Sequence, residues 1–359
     1  MTRLAAEVEA RGRLIRSKRV VIKIGSKSLA GDAWARLAEE VAALRAERVQ
    51  VIVVSSGAIA LGFPRLGMSS RPKDMPRLQA AAAAGQSALM QRWEGALTPL
   101  GLVAAQVLLT HADLADRTRS NNAQKALFSL LDAGAIPIIN ENDAVSVEEI
   151  KFGDNDQLAS MVVPLVSADL LLLLSDVEGL LDDKGVRVRF VRNVKQEAES
   201  LARGTTSGVG TGGMASKVQA ARRASLAGAD VVIALARRPS VVSSVLRGDD
   251  VGTLFPRSSL RLSARKHWIA FTLRPRGTII LDQGATEAVR RNRSVLAVGV
   301  LGVRGEFDAG DSISLVDGSN VEVARGLARL SSVGCANACG NQEAGELVHR
   351  SDLVVLPPE

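Results

Sequence analysis

The chain has 359 residues, of which 47% are apolar and 23% charged, so it can build a core of ordinary size and is not a mainly disordered protein. Lys plus Arg is 45 and Asp plus Glu is 38, a net charge of +7 that is too mild for this length to mark a nucleic-acid binder by itself. Two cysteines, Cys335 and Cys339, and three histidines exclude a disulfide framework and a structural zinc site of about four ligands.

The first residues, MTRLAAEVEARGRLIRSKR, carry charge throughout and have no apolar centre, unlike a signal peptide. The apolar run at 170–174 is far shorter than the ~20 residues of a membrane span. The expectation is a cytoplasmic protein with no membrane association. Residues 1–17 form an N-terminal extension, expected to be disordered. Beyond it, apolar runs at 20–24, 51–54, 103–109, 136–139, 170–174 and 231–235 predict strands buried on both faces, which suits a parallel sheet. Segments 33–46, 77–97 and 216–227 are rich in Ala and Leu at helical spacing, with few breakers. This alternation predicts a layered α/β/α domain with a mainly parallel sheet over residues 18–258.

The texture changes at 259–274, a polar and basic stretch expected to be a linker. Residues 275–359 then predict a small, mostly β domain, with strands at 278–281, 295–303, 312–316, 321–324 and 352–356 and one helix at 284–291. Between residues 261 and 293 there are eight basic residues and two acidic ones, a local excess of +6. No repeat of 20–50 residues and no low-complexity tract is visible.

Small and polar residues gather where the predicted strands end. The first strand, which contains Lys23, runs into Gly25-Ser26-Lys27-Ser28, and the second into Ser55-Ser56-Gly57-Ala58. Ligands of open α/β sheets sit beyond the C-terminal strand ends, where turns and helix N-termini present free N–H groups to anions. One such turn is only a tight connection; two in succession, one with a lysine, point to a phosphate or carboxylate site. A third cluster, Gly208-Val209-Gly210-Thr211-Gly212-Gly213, satisfies G-x-G-x-x-G in form. No apolar strand feeds it and no Gly-Lys-Ser/Thr follows, so it is neither a dinucleotide fingerprint nor a P-loop. It reads as a loop rich in backbone donors, with Lys217 at the start of the next helix; the plain alternative is a mobile surface loop. Asn140-Glu141-Asn142-Asp143 and Asp154-Asn155-Asp156 follow later strands, and Ser175-Asp176 ends another. Singly, each is an ordinary solvated Asx turn. Together they place carboxylates and amides near the same sheet edge as the lysines.

No Ser–His–Asp triad is evident, and His111 reads as structural. A kinase acting on an alcohol needs a base for the hydroxyl proton, whereas a carboxylate is already ionised at pH 7. Two lysines and backbone amides suffice for such an acceptor, by positioning and charge stabilisation. The inventory therefore favours ATP-dependent phosphorylation of an anionic oxygen.

Read together, Val21-Ile22-Lys23-Ile24-Gly25-Ser26, Val54-Ser55-Ser56-Gly57-Ala58-Ile59-Ala60, Gly85-Gln86-Ser87, Ile139-Asn140-Glu141-Asn142-Asp143, Gly153-Asp154-Asn155-Asp156 and the 210–217 loop resemble the amino acid kinase family. The likeness is to its glutamate-phosphorylating branch and runs from about residue 18 to about 355. The C-terminal region resembles a PUA domain. The resemblance implies transfer of the γ-phosphoryl of ATP, with Mg2+, to the γ-carboxylate of L-glutamate. The product would be glutamyl 5-phosphate, which a reductase takes onward in proline synthesis.

The resemblance also assigns roles. Lys23 and Lys217 contact the ATP phosphates, and Asp156 holds both ammonium groups. Ser56, Asp143, Asn155, Asn140 and Asp154 bind glutamate, with amide and hydroxyl donors serving its carboxylates. Ser175, Asp176, Thr211, Gly212, Gly213, Met214, Ala215, Ser216 and Lys217 line the nucleotide. Feedback inhibition by proline and a homo-oligomer are further implications. Rival readings are a kinase of the same family acting on aspartate, N-acetylglutamate or UMP, an RNA-binding protein, and an inert amino acid sensor. Trp268 and Phe271 are the only aromatics in the basic stretch, which disfavours RNA. Lys27, where the family more often has a small residue, adds one charge beside the first turn.

Overall fold

The structure, a computed structural model, describes residues 2–145, 155–203 and 213–356. It divides into two compact units, residues 1–261 and 262–359.

The first unit contains strands β1 (Arg19–Ile24), β2 (Gln50–Ser55), β3 (Ala104–Leu109), β4 (Ile136–Glu141), β5 (Leu170–Ser175), β6 (Asp230–Leu235) and β7 (Thr253–Phe255). Its helices are α1 (Arg3–Leu14), α2 (Ala33–Ala46), α3 (Ala58–Arg65), α4 (Met75–Leu97), α5 (His111–Ala115), α6 (Arg117–Asp132), α7 (Asn155–Val166), α8 (Val194–Glu197), α9 (Glu199–Arg203), α10 (Met214–Ala227) and α11 (Val241–Leu246). The strands form one sheet in the order β3-β4-β2-β1-β5-β6-β7, parallel throughout except for β7, which runs antiparallel to β6. Because side chains alternate along a strand, each strand feeds two cores. Val20, Ile22 and Ile24 join the core that also takes in α1, α2, α4 and α11. Val21 joins the opposite core, with α6, α7 and α10. Lys23 shares the face of Val21, and so it meets α7 and α10 rather than α2. The sheet is apolar on both sides, as the five consecutive leucines of β5 show, all of them buried.

The expected disorder at the N-terminus is a correction: residues Arg3–Leu14 are helical. Thr2 caps α1 by accepting a hydrogen bond from the Ala5 amide, and Ala6, Ala10 and Leu14 bury the side at i, i+4 and i+8. Arg11, also buried, donates to Glu7, Asp250 and the carbonyls of Asp249 and Arg189, which ties the extension to distant parts of the chain.

The second unit opens with α12 (Ala264–His267) and a π-helical turn at Trp268–Thr272, followed by β8 (Gly277–Leu281), α13 (Gln283–Arg290), β9 (Val295–Leu296), β10 (Val300–Gly305), β11 (Ser312–Val316), β12 (Glu322–Leu327), α14 (Ser332–Ala338), β13 (Glu346–Val348) and β14 (Leu353–Val355). Five strands form a sheet ordered β10-β8-β11-β12-β14, and β13 pairs with β9. The strand expected over 295–303 is interrupted by a 3-10 turn at Ala297–Gly299, so its halves enter different sheets. Residues 262–274, read as part of a linker, instead pack Ile269 and Ala270 against Val354. Helix α14 was not foreseen, because Gly334 and Asn337 mask a seven-residue helix that the Ser331 side chain caps. Both cysteines are free thiols there; Cys335 is buried, and burial raises its thiol above the ordinary value.

Candidate functional site

The C-terminal ends of β1, β2, β4 and β5 lie side by side, and strand order reverses about β1, which neighbours β2 on one side and β5 on the other. That reversal is where open α/β sheets bind ligands. A cavity of about 240 Å³ opens there, lined by Lys23, Ser56, Asn140, Asp143, Asn155 and Lys217 among others.

Its charged floor is a clamp of three buried side chains. Lys23 comes from the C-terminal end of β1, Asp156 from the first turn of α7 and Lys217 from the first turn of α10. Lys23 Nζ lies 2.7 Å from Asp156 Oδ1, and Lys217 Nζ lies 3.0 Å from Oδ2. Asp156 is fully buried and the lysines nearly so. Burial alone would raise the Asp156 carboxyl. The two ammonium groups outweigh it, through charge and hydrogen bonding, and hold the acid below the ordinary carboxylate range. One carboxylate thus fixes two cations and leaves a net charge of +1 at the floor, suited to a phosphoryl group.

The wall on the β2 and β4 side is a relay of amides. Asn155 Nδ2 donates to Ser56 Oγ at 2.8 Å, to Asn140 Oδ1 at 2.9 Å and to the Ser55 carbonyl at 3.3 Å. Asn140 Nδ2 donates to Gln86 Oε1 at 2.9 Å. The NH2 group of Asn155 is thus engaged by protein acceptors, and that of Asn140 gives one of its two hydrogens to Gln86. The Ser56 hydroxyl, whose oxygen accepts from Asn155, keeps its own hydrogen to give.

Two packing details set the position of Gln86 on α4. Gly62 of α3 and Gly85 of α4 cross backbone to backbone: a Cβ on Gly85 would lie 1.8 Å from the Ala58 carbonyl oxygen, and one on Gly62 1.7 Å from that of Ala81. Further along α4, Trp93 Nε1 donates to Ser55 Oγ at 3.0 Å, which pins the helix to the end of β2. Gly57, the residue just before α3, has a φ of 125° that a residue with a side chain rarely adopts. No side chain caps α3, so its first amides stay open beside the cavity.

Among the nucleotide residues expected from sequence, Ser175, Asp176 and Lys217 line the cavity, and Ser175 Oγ donates to Asp176 Oδ1 at 3.1 Å. Gly213, Met214, Ala215 and Ser216 are the cap and first turn of α10, leading into Lys217, and lie outside the cavity lining. Asp154, Thr211 and Gly212 lie outside the described residues. The cavity also contains Arg71, Phe63 and Glu141, to which sequence reading gave no role. Glu141 was visible as the second residue of its motif; Arg71, in the connection between α3 and α4, carried no signal.

Residues 18–235, more than half of the chain, match the sequence model of the amino acid kinase family. The chain belongs to the amino acid kinase family. Residues 277–344 match the model of the PUA domain. Within the family, the glutamate 5-kinase of Trichlorobacter lovleyi is 43% identical over 371 aligned positions, covering 96% of this chain and 99% of the relative. That of Myxococcus xanthus is 47% identical over 364 positions, 95% and 97% of the two chains. A solved N-acetylglutamate synthase from Neisseria gonorrhoeae aligns with a TM-score of 0.52 and 17% identity over 72% of this chain and 64% of its own, a likeness of fold alone. Among the described residues, no helix is long and apolar enough to cross a membrane.

Proposed function

We propose that this amino acid kinase transfers the γ-phosphoryl group of ATP to the side-chain carboxylate of L-glutamate, giving glutamyl 5-phosphate for proline synthesis. The observation that carries the reading is the Lys23–Asp156–Lys217 clamp at the floor of a cavity that also holds Asp143. The full-length likeness to glutamate 5-kinases supports it. An oxygen of the glutamate γ-carboxylate forms the new bond to the γ-phosphorus as the bond to the β–γ bridging oxygen breaks, and ADP leaves. No proton is transferred, because the acceptor is already an anion at pH 7. This matches a site whose buried acid, Asp156, is occupied by two lysines and cannot serve as a base.

Lys23 and Lys217 stabilise the charge on the transferring group, and Asp156 holds them ready, so little reorganisation is needed at the moment of reaction. Asp143 takes the substrate's α-ammonium, and the Ser56 hydroxyl and the open amides of α3 take a carboxylate. The first turn of α10 and Ser175–Asp176 hold the nucleotide. Among the described residues no three Asp, Glu, His or Cys side chains are grouped as a metal site. A Mg2+ held mainly by phosphate and water oxygens fits this cavity, where Asp176 at the end of β5 would be the nearby carboxylate. When bound, the ion neutralises charge on the β- and γ-phosphates.

The test is ATP consumption with Mg2+ and hydroxylamine, which traps an acyl phosphate as its hydroxamate. Hydroxamate from glutamate, with none from aspartate, N-acetylglutamate or UMP, is the expected result. ADP release with no hydroxamate from any of them refutes carboxylate phosphorylation.

A further inference from the structure

The order of donors and acceptors in the amide relay decides what the cavity wall offers a substrate, and this step rests on the glutamate reading above. The relay starts at the Ser55 carbonyl at the end of β2, a main-chain acceptor that cannot donate. Asn155 therefore turns its NH2 toward Ser55, and the same nitrogen reaches Ser56 Oγ and Asn140 Oδ1. Asn140 in turn must present its own NH2 at the far side, where Gln86 Oε1 accepts it at 2.9 Å. Turning Gln86 over would set two NH2 groups against each other. Turning every amide over would set Asn155 Oδ1 against the Ser55 carbonyl. The other end of Gln86, Nε2, is buried and has no hydrogen-bond partner among the described residues. Gln86 thus has one polar task, to terminate the relay as an acceptor. With its NH2 committed to the relay, Asn155, a residue of the cavity lining, has its oxygen left to offer a substrate.

An amide oxygen attracts an ammonium and repels a carboxylate. Together with the Asp143 carboxylate, it favours a substrate whose α-carbon bears a free ammonium. We propose that Gln86 is a positioning residue that, through Asn140, keeps the oxygen of Asn155 as an acceptor for the substrate α-ammonium, so that the cavity selects amino dicarboxylates over plain dicarboxylates. Gln86 is not among the residues that line the cavity, and acts through the amide it orients.

The test compares L-glutamate with glutarate, the same five-carbon dicarboxylate without the amine, on the full-length protein. The readout is the ratio of the glutarate inhibition constant to the glutamate KM, with hydroxamate as the signal. Gln86→Met keeps the volume and removes the acceptor. It should lower the ratio about tenfold, the effect of losing one hydrogen bond of ordinary strength, and leave the ATP KM within about twofold. Gln86→Glu puts an oxygen where Oε1 was and loses nothing at Nε2, so it should restore the ratio whatever it does to the absolute rate. A wild-type ratio in Gln86→Met overturns the proposal, as does a Gln86→Glu ratio as low as that of Gln86→Met. If Gln86→Met does not fold, judged by circular dichroism, Gln86→Lys, which sets a donor against Asn140 Nδ2, takes its place: a lowered ratio supports the proposal and a wild-type ratio overturns it. A wild-type protein that makes no hydroxamate from glutamate refutes the glutamate reading itself. One that makes it, while the first variant keeps its discrimination, refutes only the role of Gln86.

Discussion

Replacing Asp156 by Asn probes the clamp most directly, because it keeps the shape and removes the one anion between two cations. Lys23 and Lys217 lie 2.7 and 3.0 Å from opposite oxygens of that carboxylate. What the substitution removes is the attraction of each ammonium to the carboxylate, about 4 kcal/mol per contact near 4 Å at an effective dielectric constant of ~20, offset in part because a neutral amide costs less to bury. Removing one partner of a buried ion pair costs about 3–5 kcal/mol net by mutational precedent. Asp156→Asn should therefore lose about 3 kcal/mol, a fall of about 1 M in the urea midpoint, and kcat should drop on the order of 100-fold. The loss should depend on pH. The Asp156 carboxyl is held below the ordinary carboxylate range in the folded protein. Its contribution is therefore complete above the unfolded-state value of about 3.9 and disappears as pH falls through the lower folded-state value. Urea titrations of both proteins from neutral to acid pH should show the wild-type advantage shrinking at the acid end. A variant within about 0.5 kcal/mol of wild type at pH 7 would refute the clamp as a source of stability.

Other outcomes follow from the same geometry. Lys217→Ala should lower kcat far more than it raises the glutamate KM, since its charge matters most in the transition state; steady-state kinetics with wild-type kcat would remove it from the mechanism. Asp143→Ala should raise the glutamate KM and leave the ATP KM nearly unchanged, and equal losses for both substrates would mark a structural role. Gly85→Ala places a Cβ 1.8 Å from the Ala58 carbonyl oxygen, so α3 and α4 must part. Its thermal midpoint should fall by an amount corresponding to about 3 kcal/mol, and an unshifted melt would show that the crossing is not as tight as described. A chain ending at Arg261 keeps every described clamp and relay residue and should retain hydroxamate formation; a folded but inert fragment would show that residues 262–359 complete the active site.

Much of the first unit was legible in the sequence because its signals are local. Buried parallel strands are apolar on both faces, so β1, β2, β4, β5 and β6 stand out as short runs, and α2 as an Ala- and Leu-rich segment between breakers. The motif residues Lys23, Ser56, Asn140, Asn155 and Asp156 fall at strand ends and helix starts, where chain order alone places ligand groups. Helix α1 was missed because its charged residues read as solvated, whereas Arg11 is buried against the carbonyls of Asp249 and Arg189, more than 170 positions away. Such partners leave no trace in local pattern. The break between β9 and β10 was missed for the same reason, since it depends on which sheet each half joins.

By itself the sequence determined the composition of the site: two lysines, one acid between them, and a set of amides and carboxylates that needs no general base. The tertiary structure alone decided their directions. The family resemblance already implied that Lys23 and Lys217 share one carboxylate; strand alternation is what turns Lys23 toward α7 and α10 to meet it. Which end of each amide faces its protein neighbours was open in the sequence, because Asn carries a donor and an acceptor on one side chain. A carbonyl at the end of β2 and a glutamine on α4, brought there by two glycines crossing without side chains, set the direction of the relay. Donor–acceptor polarity depends on contacts between residues 15 to 100 positions apart, and only folding supplies those.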